Sequence, residues 1–220
     1  MLVKNRSVLA IAFSAVMLLA GQAQATPITF AGYNFDSDDI ADGVQGVDGD
    51  LRTYDVRRDP VFNLSPSASE LDASIGATAN TGVTCVDSNG CVFDILFDGG
   101  AANGAGDDIL LAGLGGMSEL FDVVINGVTL TGQQLSNTGD LVNGFNLKIL
   151  TLDLSDFGVN FGDIINSVRI VVSPGVDPEE FSLAAALNGN DVAVPLPAGF
   201  LIFLGGAAGL FGASRKKKTA

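Results

Sequence analysis

Leu120-Phe121-Asp122-Val123-Val124-Ile125-Asn126-Gly127-Val128-Thr129-Leu130-Thr131 is the stretch whose reading decides the fold. Phe121, Val123 and Ile125 alternate with Asp122 and Val124, the period-two pattern of a strand with one face against a core. Asn126-Gly127 follows at once, the pair that best tolerates the positive φ angles of a two-residue hairpin turn, and a second apolar run begins directly behind it. The expectation is an antiparallel hairpin with strands over 120–126 and 128–131.

Working outward, the same vocabulary of short apolar runs cut by Gly, Asn and Asp predicts strands over 28–35, 74–79, 83–86, 91–97, 108–112, 145–154, 167–173 and 181–187. Asn146-Leu147-Lys148-Ile149-Leu150-Thr151-Leu152-Asp153 shows the alternation again. Helical periodicity is missing from every window of about a dozen residues in this region. Leu154-Ser155-Asp156-Phe157-Gly158 reads as a single helical turn, and the Ser- and Pro-rich segment 64–69 as the longest loop. About ten strands with frequent turns predict an all-β fold, an antiparallel two-sheet sandwich that is jelly-roll-like.

Charge and composition narrow the function. All 25 acidic residues of the 220 lie between Asp36 and Asp191. Six of the 11 basic ones, Lys4, Arg6, Arg215, Lys216, Lys217 and Lys218, sit at the two ends. Arg52, Arg57, Arg58, Lys148 and Arg169 remain between them, so five bases against 25 acids leave this region at −20. Such a surface repels nucleic acid and anionic lipid. The chain has no histidine, which excludes Ser-His-Asp and Cys-His catalysis and removes the commonest zinc ligand. No phosphate-binding Gly-x-x-x-x-Gly-Lys motif occurs. Paired carboxylates could in principle cleave glycosides, but among so many acids a pair at suitable spacing arises by chance. Trp is absent, Tyr33 and Tyr54 are the only tyrosines, and most Phe residues fall in strand patterns that predict core. The expectation is a protein that is not an enzyme.

Cys85 and Cys91 flank Val86-Asp87-Ser88-Asn89-Gly90. In an oxidising compartment this spacing reads as a disulfide across a tight hairpin, with Asn89-Gly90 supplying the turn. A ring this small stabilises by about 2 kcal/mol, so it is expected to pin a loop more than hold the fold. A metal-binding or redox pair is the alternative; it lacks further ligands and the Cys-x-x-Cys spacing.

One loop could bind a cation. Asp98-Gly99-Gly100-Ala101-Ala102-Asn103-Gly104-Ala105-Gly106-Asp107-Asp108 offers Asp98, Asn103, Asp107 and Asp108 as oxygen ligands, with glycines freeing backbone carbonyls, and calcium is the one candidate cofactor. The register from Asp98 lacks the glycine and the acid of an EF-hand, and no nine-residue repeat occurs. The alternative is a solvated turn whose Asp and Asn side chains bond their own backbone. Asp36, Asp38 and Asp39 with Asp48 and Asp50 form a second acidic, turn-rich stretch.

Both ends read as export signals. Lys4 and Arg6 precede the apolar core 8–20, and Ala23-Gln24-Ala25 places small residues where signal peptidase needs them, so residues 1–25 are expected to leave through the Sec machinery and be cut after Ala25. At the other end Val194-Pro195-Leu196-Pro197-Ala198 leads into the glycine-rich apolar run 199–213 and then Arg215-Lys216-Lys217-Lys218. The 20 residues from Val194 to Ala213 span about 30 Å as a helix, and the basic stop after them stays cytoplasmic. From composition alone an uncut tail anchor fits as well. The order of motif, apolar run and basic end resembles the VPLPA variant of the PEP-CTERM sorting tail of Gram-negative bacteria. That resemblance implies recognition in the inner membrane by an exosortase, cleavage near Pro195-Leu196-Pro197-Ala198, and passage to the cell surface or extracellular matrix; Thr219 and Ala220 overhang the usual end. The expected organisation is signal peptide 1–25, sandwich ectodomain 26–190 and sorting tail 191–220.

The blocks Phe93-Asp94-Ile95-Leu96-Phe97, Asn103-Gly104-Ala105-Gly106-Asp107-Asp108-Ile109-Leu110-Leu111, Glu119-Leu120-Phe121-Asp122-Val123-Val124-Ile125-Asn126-Gly127 and Glu180-Phe181-Ser182-Leu183-Ala184-Ala185-Ala186-Leu187 are similar to sandwich ectodomains carried by many proteins with such tails. The similarity implies the fold and no activity. Together these readings predict a structural or adhesive component of an exopolysaccharide biofilm matrix, with a glycan-binding module as the alternative and glycan cleavage behind it.

Overall fold

A computed structural model of the chain describes residues 26–57, 61–76, 79–86, 90–115, 120–175 and 180–189. The signal peptide and the sorting motif with its basic stop lie outside these residues. At the hairpin that opens the sequence reading, β9 (Phe121–Ile125) and β10 (Val128–Gln133) pair antiparallel around Asn126 and Gly127, whose φ angles are 52° and 76°. Phe121, Val123 and Ile125 are buried and Asp122 and Val124 half-buried, as the alternation requires.

The other strands among the described residues are β1 (Pro27–Phe30), β2 (Tyr33–Asp36), β3 (Gly43–Asp48), β4 (Leu51–Asp55), β5 (Val61–Asn63), β6 (Thr81–Cys85), β7 (Cys91–Ala102), β8 (Ile109–Leu114), β11 (Ser136–Val142), β12 (Phe145–Leu152), β13 (Ile164–Val172) and β14 (Phe181–Ala186). They form a five-stranded sheet in the order β10-β9-β13-β7-β3 and a seven-stranded sheet in the order β11-β12-β8-β14-β6-β4-β5. Every strand pairing is antiparallel. From β6 to β9, and again from β12 to β14, each successive strand crosses to the opposite sheet, the winding expected of a jelly-roll-like sandwich.

Alternate residues of both sheets meet in one core. Phe93, Ile95, Val123, Ile125, Val168 and Ile170 come from the five-stranded sheet, and Val83, Ile109, Leu111 and Phe181 from the seven-stranded one. Phe181 sits at the centre, edge-on to Phe93 (centroids 5.6 Å apart) and to Phe121 (5.0 Å). The seven-stranded sheet has a second buried face: Leu110, Ala112, Leu114, Leu183, Ala185 and Tyr54 pack with Phe35, Ile28, Phe30 and Tyr33 of the separate β1–β2 hairpin. Strands β8 and β14 are therefore buried on both sides at every residue, which is why they are almost wholly apolar, with Ser182 the one polar side chain.

Several expectations need correction. The single strand over 28–35 is a hairpin, because Ala31 and Gly32 take positive φ angles of 50° and 86°. Among the described residues of the strand expected over 74–79, 74–76 and 79 are not in a strand; Ser74 closes the end of a short helix α1 (Ala68–Asp72), its hydroxyl donating to the Leu71 carbonyl at 2.6 Å. That helix begins inside the segment read as a loop, where Ser67 and Glu70 cap it reciprocally. The single helical turn expected over 154–158 is present, as a 3-10 turn over Leu154–Phe157 closed by Gly158 in the left-handed region.

The disulfide forms, but its role differs from the expected one. Cys85 ends β6 in one sheet and Cys91 begins β7 in the other, so the Cys85–Cys91 bond ties the two sheets together rather than closing a hairpin. Both cysteines lie in the core, with Cα atoms 5.7 Å apart. Replacing both with alanine is expected to lower unfolding free energy by about 2–4 kcal/mol, read by urea denaturation. The wild type should match that loss on reduction.

Candidate functional site

The segment read as a candidate calcium loop is in part a strand. Strand β7 runs on through Asp98 to Ala102, pairing Ala101 with Ile165 and Ala102 with Ile164, so only 103–108 remain as a loop. Gly100, at a φ of 76°, sits where the register shifts between Ile165 and Ser167.

Asp108 is fully buried. Its Oδ1 accepts from the Gly104 backbone N–H at 2.7 Å and from Asn188 Nδ2 at 2.7 Å, and its Oδ2 accepts from the Leu154 N–H at 2.8 Å. One carboxylate thus joins its own loop, the 3-10 turn after β12 and the end of β14. Three N–H donors can hold a buried carboxylate in this way without a cation. Asn103 is equally enclosed: its Nδ2 donates to the Val159 carbonyl at 2.6 Å, its N–H to the Asp163 carbonyl at 2.9 Å, and its own carbonyl accepts from the Gly162 N–H at 2.8 Å.

These bonds engage two of the four candidate ligands within the fold. Asp108 and Asn103 serve the chain's own donors and acceptors, while Asp98 and Asp107 are exposed elsewhere. The Asp98 N–H donates to the Asp42 carboxylate, and the Asp107 carbonyl accepts from Asn188 Nδ2 at 3.5 Å. Among the described residues no group of three or more Asp, Glu, His or Cys side chains is placed to hold a metal ion. The second acidic stretch does local work: Asp39 accepts from the Asp36 N–H at 2.9 Å, and Asp48 from the Gly49 N–H at 3.0 Å.

Asp108 holds the 3-10 turn at Leu154, and Asn103 holds the rim loop 158–163 that follows it before β13. This loop borders a depression of about 280 Å³ lined by Asn126 of the β9–β10 turn, Gly158, Val159, Asn160, Asp163 and the start of β13. Asn160 Nδ2 donates to Asp163 Oδ2 at 2.8 Å, and the Asp163 N–H returns to the Asn160 carbonyl at 2.9 Å. Between them in sequence Phe161 is 79 % exposed, and Ile164, which lines the depression, is 44 % exposed. The lining contains one carboxylate, Asp163, and no basic residue.

Among the described residues, the bases elsewhere are engaged or buried. Arg169 meets Asp94 through Nε at 2.7 Å and Nη2 at 3.0 Å, and this hydrogen-bonded pairing raises the guanidinium pKa further. Arg57 pairs likewise with Asp55 at 2.7 Å, and Arg52 lies 4.3 Å above the Phe62 ring centroid. Lys148 is buried within the sandwich.

Sequence reasoning missed Phe161, having assigned most phenylalanines to strands. Its neighbours give the signal that was available: Asn160-Phe161-Gly162-Asp163 places a lone aromatic among turn formers, outside any alternating run. No protein family model, curated protein or solved structure matches this chain.

Proposed function

We propose that this protein is an exported surface or extracellular-matrix component, sorted by an exosortase and acting as a structural or adhesive part of an exopolysaccharide matrix rather than as an enzyme. The observation that carries the reading is the coincidence of Val194-Pro195-Leu196-Pro197-Ala198, the apolar run 199–213 and Arg215-Lys216-Lys217-Lys218 at one end with a signal-peptide pattern at the other. The disulfide supports an oxidising destination, where a staple between the sheets persists. The −20 charge of the 26–191 region favours solubility outside the cell and disfavours nucleic-acid partners.

On this reading the Sec machinery and an exosortase are processing partners, the inner membrane holds the chain only until cleavage, and exopolysaccharide is the partner at the destination. Fractionation of cells with and without the exosortase tests it. The expected result is surface or matrix protein in the wild type and retention in the inner membrane without the enzyme. Identical distributions in the two strains would remove the sorting account.

A further inference from the structure

We infer that, until it is cut free, the sandwich stands on the membrane by the rim that carries both of its chain ends, with Phe161 and Ile164 seated in a zwitterionic lipid surface. Residues 188–189 and the rim loop flank one segment of β7. On one side Ala102 donates its N–H to the Asn188 carbonyl at 3.0 Å and Ala101 bridges to Gly189. On the other side Ala102 pairs with Ile164, and the Asn103 N–H meets the Asp163 carbonyl at 2.9 Å. Two strand spacings, about 10 Å, therefore separate Gly189 from the start of β13. The other end of the domain joins them. Thr26 exchanges two hydrogen bonds with Ser37, its N–H donating to the hydroxyl at 3.1 Å and its carbonyl accepting from the Ser37 N–H at 2.9 Å. Asp39, two residues on, lies against Gly189, where a Cβ would collide with its carboxylate. Both ends of the folded domain thus leave one rim.

That placement matches what a chain held at both ends requires. With Lys4 and Arg6 before one apolar run and Arg215 to Lys218 after the other, both basic ends stay cytoplasmic, and the domain is strung between two segments that return to the same membrane face. Gly189 stands five residues from Val194, and Thr26 six from Ala20, spans of at most about 18 and 22 Å at full extension. Close termini are common in domains. Tethers this short, however, hold the rim itself to the lipid rather than the far end of the sandwich. The rim's chemistry then selects the lipid. Phe161 and Ile164, 79 % and 44 % exposed, gain at the headgroup boundary the burial that the fold denies them. Asp38, Asp107 and Asp163 are exposed around the same segment, so an anionic surface repels the rim and a zwitterionic one does not.

The inference rests on the export reading for placing 8–20 and 194–213 in the membrane, and the test separates the two. The chain has no Trp, so Phe161→Trp supplies a single reporter at the rim. Leu141→Trp supplies one at the far end: Leu141, 65 % exposed, pairs with Asn146, six residues along β12 from Leu152 and about 20 Å from the rim. Both positions are exposed, so neither substitution should move the melting temperature. The full-length chain carrying each substitution is reconstituted in phosphatidylcholine vesicles with plain or brominated acyl chains. Phe161→Trp should lose roughly half its emission on bromination, as a ring seated about 5–10 Å into the headgroup and acyl boundary would, while Leu141→Trp keeps its own. Brominated phosphatidylglycerol should quench Phe161→Trp less; equal or stronger quenching there overturns the assignment to a zwitterionic surface. If the vesicles fail to carry the chain on flotation, the membrane reading falls and the inference with it. If the chain floats but Phe161→Trp is not quenched, or both reporters are quenched equally, the inference alone is overturned and the sorting reading stands.

Discussion

Phe181→Ala is expected to lower the unfolding free energy by about 3–5 kcal/mol, a large share of the roughly 5–15 kcal/mol that holds a typical domain together. Phe181 is fully buried on β14, and it is the ring through which the two sheets meet. Its partners Phe93 and Phe121 belong to β7 and β9 of the opposite sheet, with interplanar angles of 72° and 79°. Truncation removes the burial of one ring, leaves a cavity between two sheets that cannot both collapse onto it, and deletes two edge-to-face contacts worth about 0.5–1.5 kcal/mol each. Urea denaturation reads the effect as a lower midpoint with an unchanged slope. A loss below about 1 kcal/mol would mean that the sheets do not pack through this residue.

Asp108→Ala is expected to be comparably severe, about 3–5 kcal/mol, for a different reason. Nothing large is lost from the core, but the Gly104 and Leu154 N–H groups and the Asn188 amide lose their acceptor, the Leu154 N–H at a buried position and the other two at half-buried ones. Each orphaned donor costs about 1–3 kcal/mol, with incomplete additivity because relaxation at one serves the others. Asp108→Asn sharpens the test. It keeps the volume but turns an NH₂ group toward one of the approaching N–H donors, so it should recover only part of the loss. If the asparagine variant matched wild type in urea, the buried charge would be unnecessary and the three-way junction misassigned. Neither variant should alter any calcium response, since the wild type is expected to melt at the same temperature in EDTA and in millimolar calcium. A calcium-dependent rise abolished by Asp107→Ala would reinstate the cation site.

These two residues mark where the sequence was informative. The central strands were legible because burial imposes a pattern: β9 alternates under one buried face, and β8 and β14 lose alternation because both of their faces are covered. The strands that escaped notice sit at or near sheet edges. Strands β3, β5 and β11 are edges and β4 lies next to one, and Gly43–Asp48 and Ser136–Val142 are mostly exposed, so no apolar rhythm was required of them. Cys85 and Cys91 were correctly paired, yet their spacing could not reveal that the chain changes sheets between them, because that depends on which strands β6 and β7 find as neighbours.

The loop at 103–108 shows the same limit in its chemistry. Asp, Asn and Gly in that order fit a cation loop and a self-bonded turn equally well. Local composition does not carry the contacts of Leu154 and Asn188, 46 and 80 residues away in sequence, whose N–H groups reach Asp108. Phe161 was overlooked for the complementary reason: its environment is set by Asn103 anchoring the rim, a contact that local composition does not encode.

The measurement that bears most directly on the account is intact-mass spectrometry of the protein recovered from the surface of its native cells. The account predicts a chain that begins at Thr26, ends at a cut within or beside Pro195-Leu196-Pro197-Ala198 and carries the Cys85–Cys91 disulfide. A surface protein that still carries residues 199–220, with Arg215-Lys216-Lys217-Lys218 intact, would contradict it.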